Sequence, residues 1–186
     1  MSKWFRVSVL LVCSLVAQGK VVVFWQEGFP TVESQAVPRT ALEQALQAMQ
    51  PVVFAGLDEL PGALKEADLL VLPYGSALPV EGWKAILAHL EAGGNLLTLG
   101  GRPLFVPVLR KGAGFDIGRA QNTYSRHLGF SHSYQAPQTN LSKFVWADSY
   151  AFLPPLELEA RRVYVVTGAA GLGYFLDSHG EKAAAP

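Results

Sequence analysis

Apolar residues fall along this chain in two rhythms that take turns. Residues 20–25 hold an unbroken run, Val21, Val22, Val23, Phe24 and Trp25, all β-branched or aromatic. Such a run suits a strand buried on both faces, as in a parallel sheet. Gly28, Pro30 and Pro38 mark residues 26–39 as a loop. Thr40 and Glu43 then have capping-box spacing, with Thr40 as the N-cap, and Leu42, Ala45, Leu46 and Met49 share one helical face. Pro51 ends that helix, and residues 52–55 read as a second strand. Residues 57–66 read as a short helix over the sheet, and residues 68–73 as a third, doubly buried strand. Tyr74, Gly75 and Ser76 turn the chain. Residues 79–92 give the clearest helix, with Trp83, Ile86, Leu87 and Leu90 on one stripe and Gly93 and Gly94 as its left-handed stop. Residues 95–99 are the fourth strand, leading into Gly100, Gly101 and Arg102.

Strands alternating with helices over short links predict parallel strands joined by right-handed crossovers. The expected fold is therefore α/β: a flavodoxin-like, doubly wound parallel sheet. Ligands of such sheets bind beyond the carboxyl ends of the strands. That rule gathers Trp25 and Glu27, Tyr74 and Ser76, and Arg102 on one rim. Beyond about Pro107 the pattern changes. Residues 111–160 read as a polar, loop-rich insertion following an α/β domain at 20–110. Residues 161–186 are expected to be a β-rich extension, with a strand at 161–168 and a hairpin joining 174–176 to 182–185. The apolar character of residues 182–186 suggests that a longer protein continues past Pro186.

The N-terminus changes the picture. Lys3 and Arg6 precede an apolar run from Val7 to Val16, followed by Ala17, Gln18 and Gly19. This is the charge, apolar core and small-residue order of a cleavable signal peptide at 1–19, so the protein is expected to be secreted or periplasmic. The run is too short for a membrane anchor. Val12 before Cys13 argues against a lipoprotein. Cleavage removes Lys3, Arg6 and the single cysteine, leaving 13 basic against 15 acidic residues in a part 167 residues long. No basic field remains for nucleic acid or anionic lipid, and no thiol remains for a disulfide, a thiolate metal site or a nucleophile. The expectations are thus no nucleic acid, no membrane after cleavage and no cofactor. Asn140 and Ser142 frame a glycosylation sequon.

The stretch from Ala67 to Ser76, the helix carrying Trp83 to Leu90, and the run Glu91-Ala92-Gly93-Gly94-Asn95-Leu96-Leu97-Thr98-Leu99-Gly100-Gly101 resemble the class I glutamine amidotransferase-like fold. The likeness is to its secreted, carbohydrate-associated relatives, in which such a domain accompanies a glycoside hydrolase. It spans residues 20 to about 108, roughly half of the part after residue 19. Active members carry a cysteine on a strand-to-helix elbow; here those positions are Gly100, Gly101 and Arg102. No His-x-Glu motif occurs near the end. The resemblance therefore implies a domain without the nucleophile and without glutaminase activity. It also implies a role in binding carbohydrate or in supporting a downstream catalytic domain.

Several positions carry candidate chemistry. Glu27 could serve as an acid, a base or a hydrogen-bonding group for sugar hydroxyls, and Trp25 could stack on a sugar ring; a buried Trp and a solvated Glu is the plain alternative. Ser76 lacks the Gly-x-Ser-x-Gly setting of a serine nucleophile and reads as a turn residue. Residues 121–134 mix amides, hydroxyls and rings, including Asn122, Tyr124, Arg126, His127 and His132. This composition suits either a sugar site or an ordered surface loop. His127 and His132 alone make no zinc pattern. Thr167, Gly168, Gly171 and Gly173 match a dehydrogenase pyrophosphate turn, but too little chain follows for the rest of a dinucleotide fold. The ligand-binding candidates are Trp25, Glu27, Tyr74, Ser76, Arg102, Asn122, Tyr124, Arg126 and His127. A hydrolase built on Glu27 and a nicotinamide-binding fragment remain as alternatives.

Overall fold

The computed structural model describes residues 19–49, 51–135, 143–153, 164–167, 173–176 and 182–184. The signal-peptide reading of residues 1–18, the sequon at Asn140 and the glycines at 168–172 lie outside the described residues.

The unbroken apolar runs form a parallel sheet. Strands β1 (Val21–Phe24), β2 (Val52–Ala55), β3 (Leu69–Leu72) and β5 (Asn95–Thr98) lie in the order β2-β1-β3-β5, and every neighbouring pair is parallel. β1 is central and wholly buried, as a strand without polar alternation must be. Side chains alternate between the two faces of the sheet. Val22, Phe24, Leu70 and Leu72 face Leu60 and Ile86, carried by helices α2 (Leu60–Ala63) and α3 (Trp83–Glu91). Val21, Val23 and Val71 face Leu42 of helix α1 (Arg39–Ala45) and Leu46 just after it. In this mixed α/β fold both faces of the central strands are thus covered by helices.

Local differences from the sequence reading have physical causes. Thr40 is not the N-cap of α1. Pro38 holds that position in an extended conformation, and no side chain caps the helix. The Pro38 carbonyl accepts the N–H groups of Ala41 (3.0 Å) and Leu42 (3.2 Å). Glu43 instead takes a charged bond from Arg39 four residues before it (2.9 Å). The helix ends at Ala45 and gives way to a 3₁₀ turn at Gln47–Met49, so Met49 is exposed. The expected helix at 79–92 is preceded by a short strand, β4 (Ala77–Pro79), and a 3₁₀ turn at Val80–Gly82, because Pro79 stays extended. Gly93, at φ +91°, stops α3 as anticipated.

β4 pairs in parallel with β6 (Val106–Lys111), which forms an antiparallel hairpin with β7 (Gly114–Ile117). Gly112 makes the tight turn at φ +58°. Leu78 and Val108 seal this second sheet against the α2/α3 side of the core. The segment expected to be loop-rich carries ordered elements: β7, helix α4 (Thr123–His127), β8 (Ser131–Gln135) and β9 (Lys143–Trp146). Elements of only four or five residues leave little periodicity to read. β8 pairs with β10 (Tyr164–Thr167), and β11 (Gly173–Leu176) pairs with β9 and with β12 (Lys182–Ala184), all antiparallel.

Candidate functional site

The carboxyl ends of β1 and β3 open onto a cavity of about 620 Å³, lined among others by Trp25, Gln26, Glu27, Phe29, Arg39 and Tyr74. Its floor is built of aromatic rings packed edge to face. Phe29 meets Phe24 and Tyr74, each at 4.9 Å, and Trp25 lies tilted against Tyr74 at 6.0 Å. Such pairs fix ring positions more firmly than apolar burial alone. The Tyr74 hydroxyl accepts the backbone N–H of Gln26 (3.0 Å) and donates to the Gln26 carbonyl (3.1 Å). The Gln26 side-chain oxygen accepts the N–H of Leu57 (3.1 Å). Burial pushes the Tyr74 phenol above its ordinary value, partly offset by the backbone bond to Gln26, so it remains a neutral hydroxyl. Glu27 is exposed at the mouth.

A second constellation follows directly on the cavity residues Thr31 and Tyr74. Val32 bridges to Gly75: its N–H donates to the Tyr74 carbonyl (3.1 Å), and its carbonyl accepts the N–H of Ser76 (2.9 Å). Next to it Glu33 takes up a left-handed backbone, φ +55°, and turns its carboxylate inward. The Arg102 guanidinium grips that carboxylate through Nε (2.8 Å) and a second, closer Nη2 bond. Ser76 Oγ donates to Glu33 Oε2 (2.5 Å) and accepts the backbone N–H of Arg102 (2.6 Å). Arg102 also lies over the Phe105 ring at 3.8 Å. Gly75, Gly100 and Gly101 all have positive φ, and a Cβ on any of them would run into Val32, Ser34 or Ser76. Only glycine permits this approach. Ser76 is completely buried, and its hydroxyl is held between the Glu33 carboxylate and the Arg102 backbone.

His132 borders the same cluster. It is buried, with its Nε2 on the Pro103 carbonyl (2.8 Å) and its ring edge-on to Phe105 (5.2 Å). Burial and the nearby Arg102 charge lower its pKa; the Pro103 carbonyl and Glu33 pull the other way but do not prevail. His132 is therefore neutral at pH 7.

The remaining sequence-derived candidates sit elsewhere. Asn122 clamps the backbone of His132, accepting its N–H (2.9 Å) and donating to its carbonyl (3.2 Å). Tyr124 and His127 pack edge-on against Trp83 at 5.2 and 6.1 Å. Arg126 and His127 are exposed on α4. None of the four lines the rim cavity. The structure thus brings Trp25, Glu27 and Tyr74 together, ties Ser76 and Arg102 into the neighbouring latch, and leaves α4 as a separate surface. Glu33 and Arg39 were not singled out from the sequence. Glu33 lies in a loop without periodicity, 69 residues from its Arg102 partner. Arg39 could have been read from its spacing to Glu43 but points to helix stability rather than to a cavity.

Among the described residues no group of three or more His, Cys, Asp or Glu is placed to hold a metal ion, and no helix is long and apolar enough to cross a membrane. β11 begins at Gly173, where a pyrophosphate turn would open a helix. Compared with known families, with curated proteins and with solved structures, this chain matches none.

Proposed function

We propose that this chain is a non-catalytic, flavodoxin-like domain of the amidotransferase-like kind, exported from the cytoplasm, that binds carbohydrate in the rim cavity. The observation that carries the reading is the convergence of Trp25, Glu27 and Tyr74 on one cavity beyond the ends of parallel strands. Its volume of about 620 Å³ suits a small organic ligand. An aromatic ring beside a carboxylate and amide groups suits a sugar, whose apolar face stacks while its hydroxyls find acceptors. The latch supports the non-catalytic part: Gly100, Gly101 and Arg102, where the resemblance calls for a nucleophile elbow, are spent on holding Glu33 and Ser76. A β-rich C-terminal extension and a downstream glycoside hydrolase domain complete the proposed architecture.

Hydrolysis by Glu27 would need a second carboxyl group about 5–9.5 Å away. Glu27 is the one carboxylate among the described residues lining the cavity, which favours binding over chemistry. Calorimetric titration with a panel of oligosaccharides tests the reading. At least one should bind, and Trp25→Ala and Glu27→Ala should each weaken it by about tenfold or more. A panel without binders, or variants that bind as the wild type does, would reject it.

A further inference from the structure

Two charged side chains line the rim cavity, and they differ in what they already hold. Arg39 is engaged: its Nε donates to Glu43 (2.9 Å), and its guanidinium lies over the Phe54 ring at 4.2 Å. Glu27 is exposed and makes no hydrogen bond or ion pair with the described residues. Several other carboxylates of the fold are committed. Glu33 is bound by Arg102, Asp58 by Arg110, Asp116 by Lys111, and Asp68 accepts the N–H of Lys20. With Arg39 balanced by Glu43, the cavity carries one excess charge, the negative charge of Glu27.

The aromatic lining points the same way. Phe29 and Tyr74 are buried, so Trp25, two residues before Glu27, is the half-buried ring among the three that line the cavity. A carboxylate and a Trp ring lining one cavity both attract a cation, one through its charge and the other through its quadrupole. A hydroxyl gains only a hydrogen bond from the same pair.

We infer that the cavity selects an amino sugar, a ring bearing a protonated amine, over the neutral sugar of the same shape, and that Glu27 sets this selectivity. The inference rests on the carbohydrate reading and narrows it to a ligand class.

The test compares two probes that differ in one substituent per ring: a β-1,4-linked glucosamine hexamer and the corresponding glucose hexamer. Calorimetric titrations at low ionic strength and about pH 6 keep the amines protonated and the carboxylates ionised. The glucosamine hexamer should bind about tenfold more tightly, the gain expected of one charge-assisted contact at a half-open site. Glu27→Gln should bring the ratio of the two affinities to about one. Glu91→Gln, at an exposed carboxylate on α3, should leave the tenfold ratio in place and so exclude a general charge effect. Equal binding of both probes by the wild type, or a ratio that survives Glu27→Gln, overturns the selectivity and leaves the carbohydrate reading standing. If neither probe nor any other oligosaccharide binds, the carbohydrate reading falls and this inference falls with it.

Discussion

Glu33 occupies a left-handed conformation that costs a non-glycine residue about 1–3 kcal/mol, and its bonds to Arg102 and Ser76 are what hold it there. Both charged partners are about three-quarters buried, with side-chain exposures of 21% and 24%. Removing Arg102 takes from Glu33 its charged partner and leaves the carboxylate on the Ser76 hydroxyl. Arg102→Ala should therefore destabilise the fold by about 2–4 kcal/mol in urea unfolding. Arg110→Ala, which breaks an exposed pair with Asp58, should barely move the midpoint. Equal effects of the two would contradict the assignment of Glu33 and Arg102 as a buried latch. Tyr74 makes a second prediction at this scale. Its pKa is raised on folding, so its contribution is fully present below the ordinary phenol value of 10.0 and is lost as pH rises through the folded value. Tyr74→Phe should show a smaller loss of stability than the wild type between about pH 9 and 11, by thermal unfolding across that range. An unchanged pH dependence would show that the phenol is not held as described.

At the scale of elements, the apolar runs were the legible part. β1 and β3 appear where unbroken Val and Leu runs place them, because a doubly buried strand has no other way to be written, and the partly exposed edge strands β2 and β5 follow from shorter apolar runs. The helix stop at Gly93 was legible for an equally local reason, its positive φ. What failed was the fine position of helix starts. Thr40 and Glu43 have the right spacing for a capping box, but Pro38 starts the helix two residues earlier and leaves Thr40 inside its first turn. Thr40→Ala should thus change stability by less than about 0.5 kcal/mol, where loss of a true N-cap costs about 1 kcal/mol. A loss of the larger size in chemical denaturation would restore Thr40 as the cap. β4 was missed because three residues, one of them proline, carry no periodic signal. α4 was missed because five residues give barely one turn.

At the scale of the whole molecule, the site was half legible. The rule that ligands bind beyond the carboxyl ends of parallel strands put Trp25, Glu27 and Tyr74 on one rim, and they do line one cavity. Composition drew attention to residues 121–134, yet Asn122 and Tyr124 turn out to brace His132 and Trp83. Polar richness alone does not separate a bracing residue from a binding one. The latch could not be read at all, since it joins three loops through partners far apart in sequence. Its neighbour His132 links the fold to pH. Its pKa is lowered on folding, so its contribution is present above the ordinary value of 6.5 and is lost as pH falls through the folded value. Stability should fall on acidification below about pH 6.5, and His132→Gln should flatten that part of the profile.

The central claim is that ligand enters the rim cavity rather than the polar surface of α4. Backbone and indole ¹H–¹⁵N spectra, recorded while the tightest-binding oligosaccharide is titrated in, test this most directly. The Trp25 indole and the amides of Gln26, Glu27, Gly28 and Phe29 should shift together and saturate, while those of Thr123 to His127 stay in place. Shifts centred on α4, or none at the Trp25 indole, would contradict it.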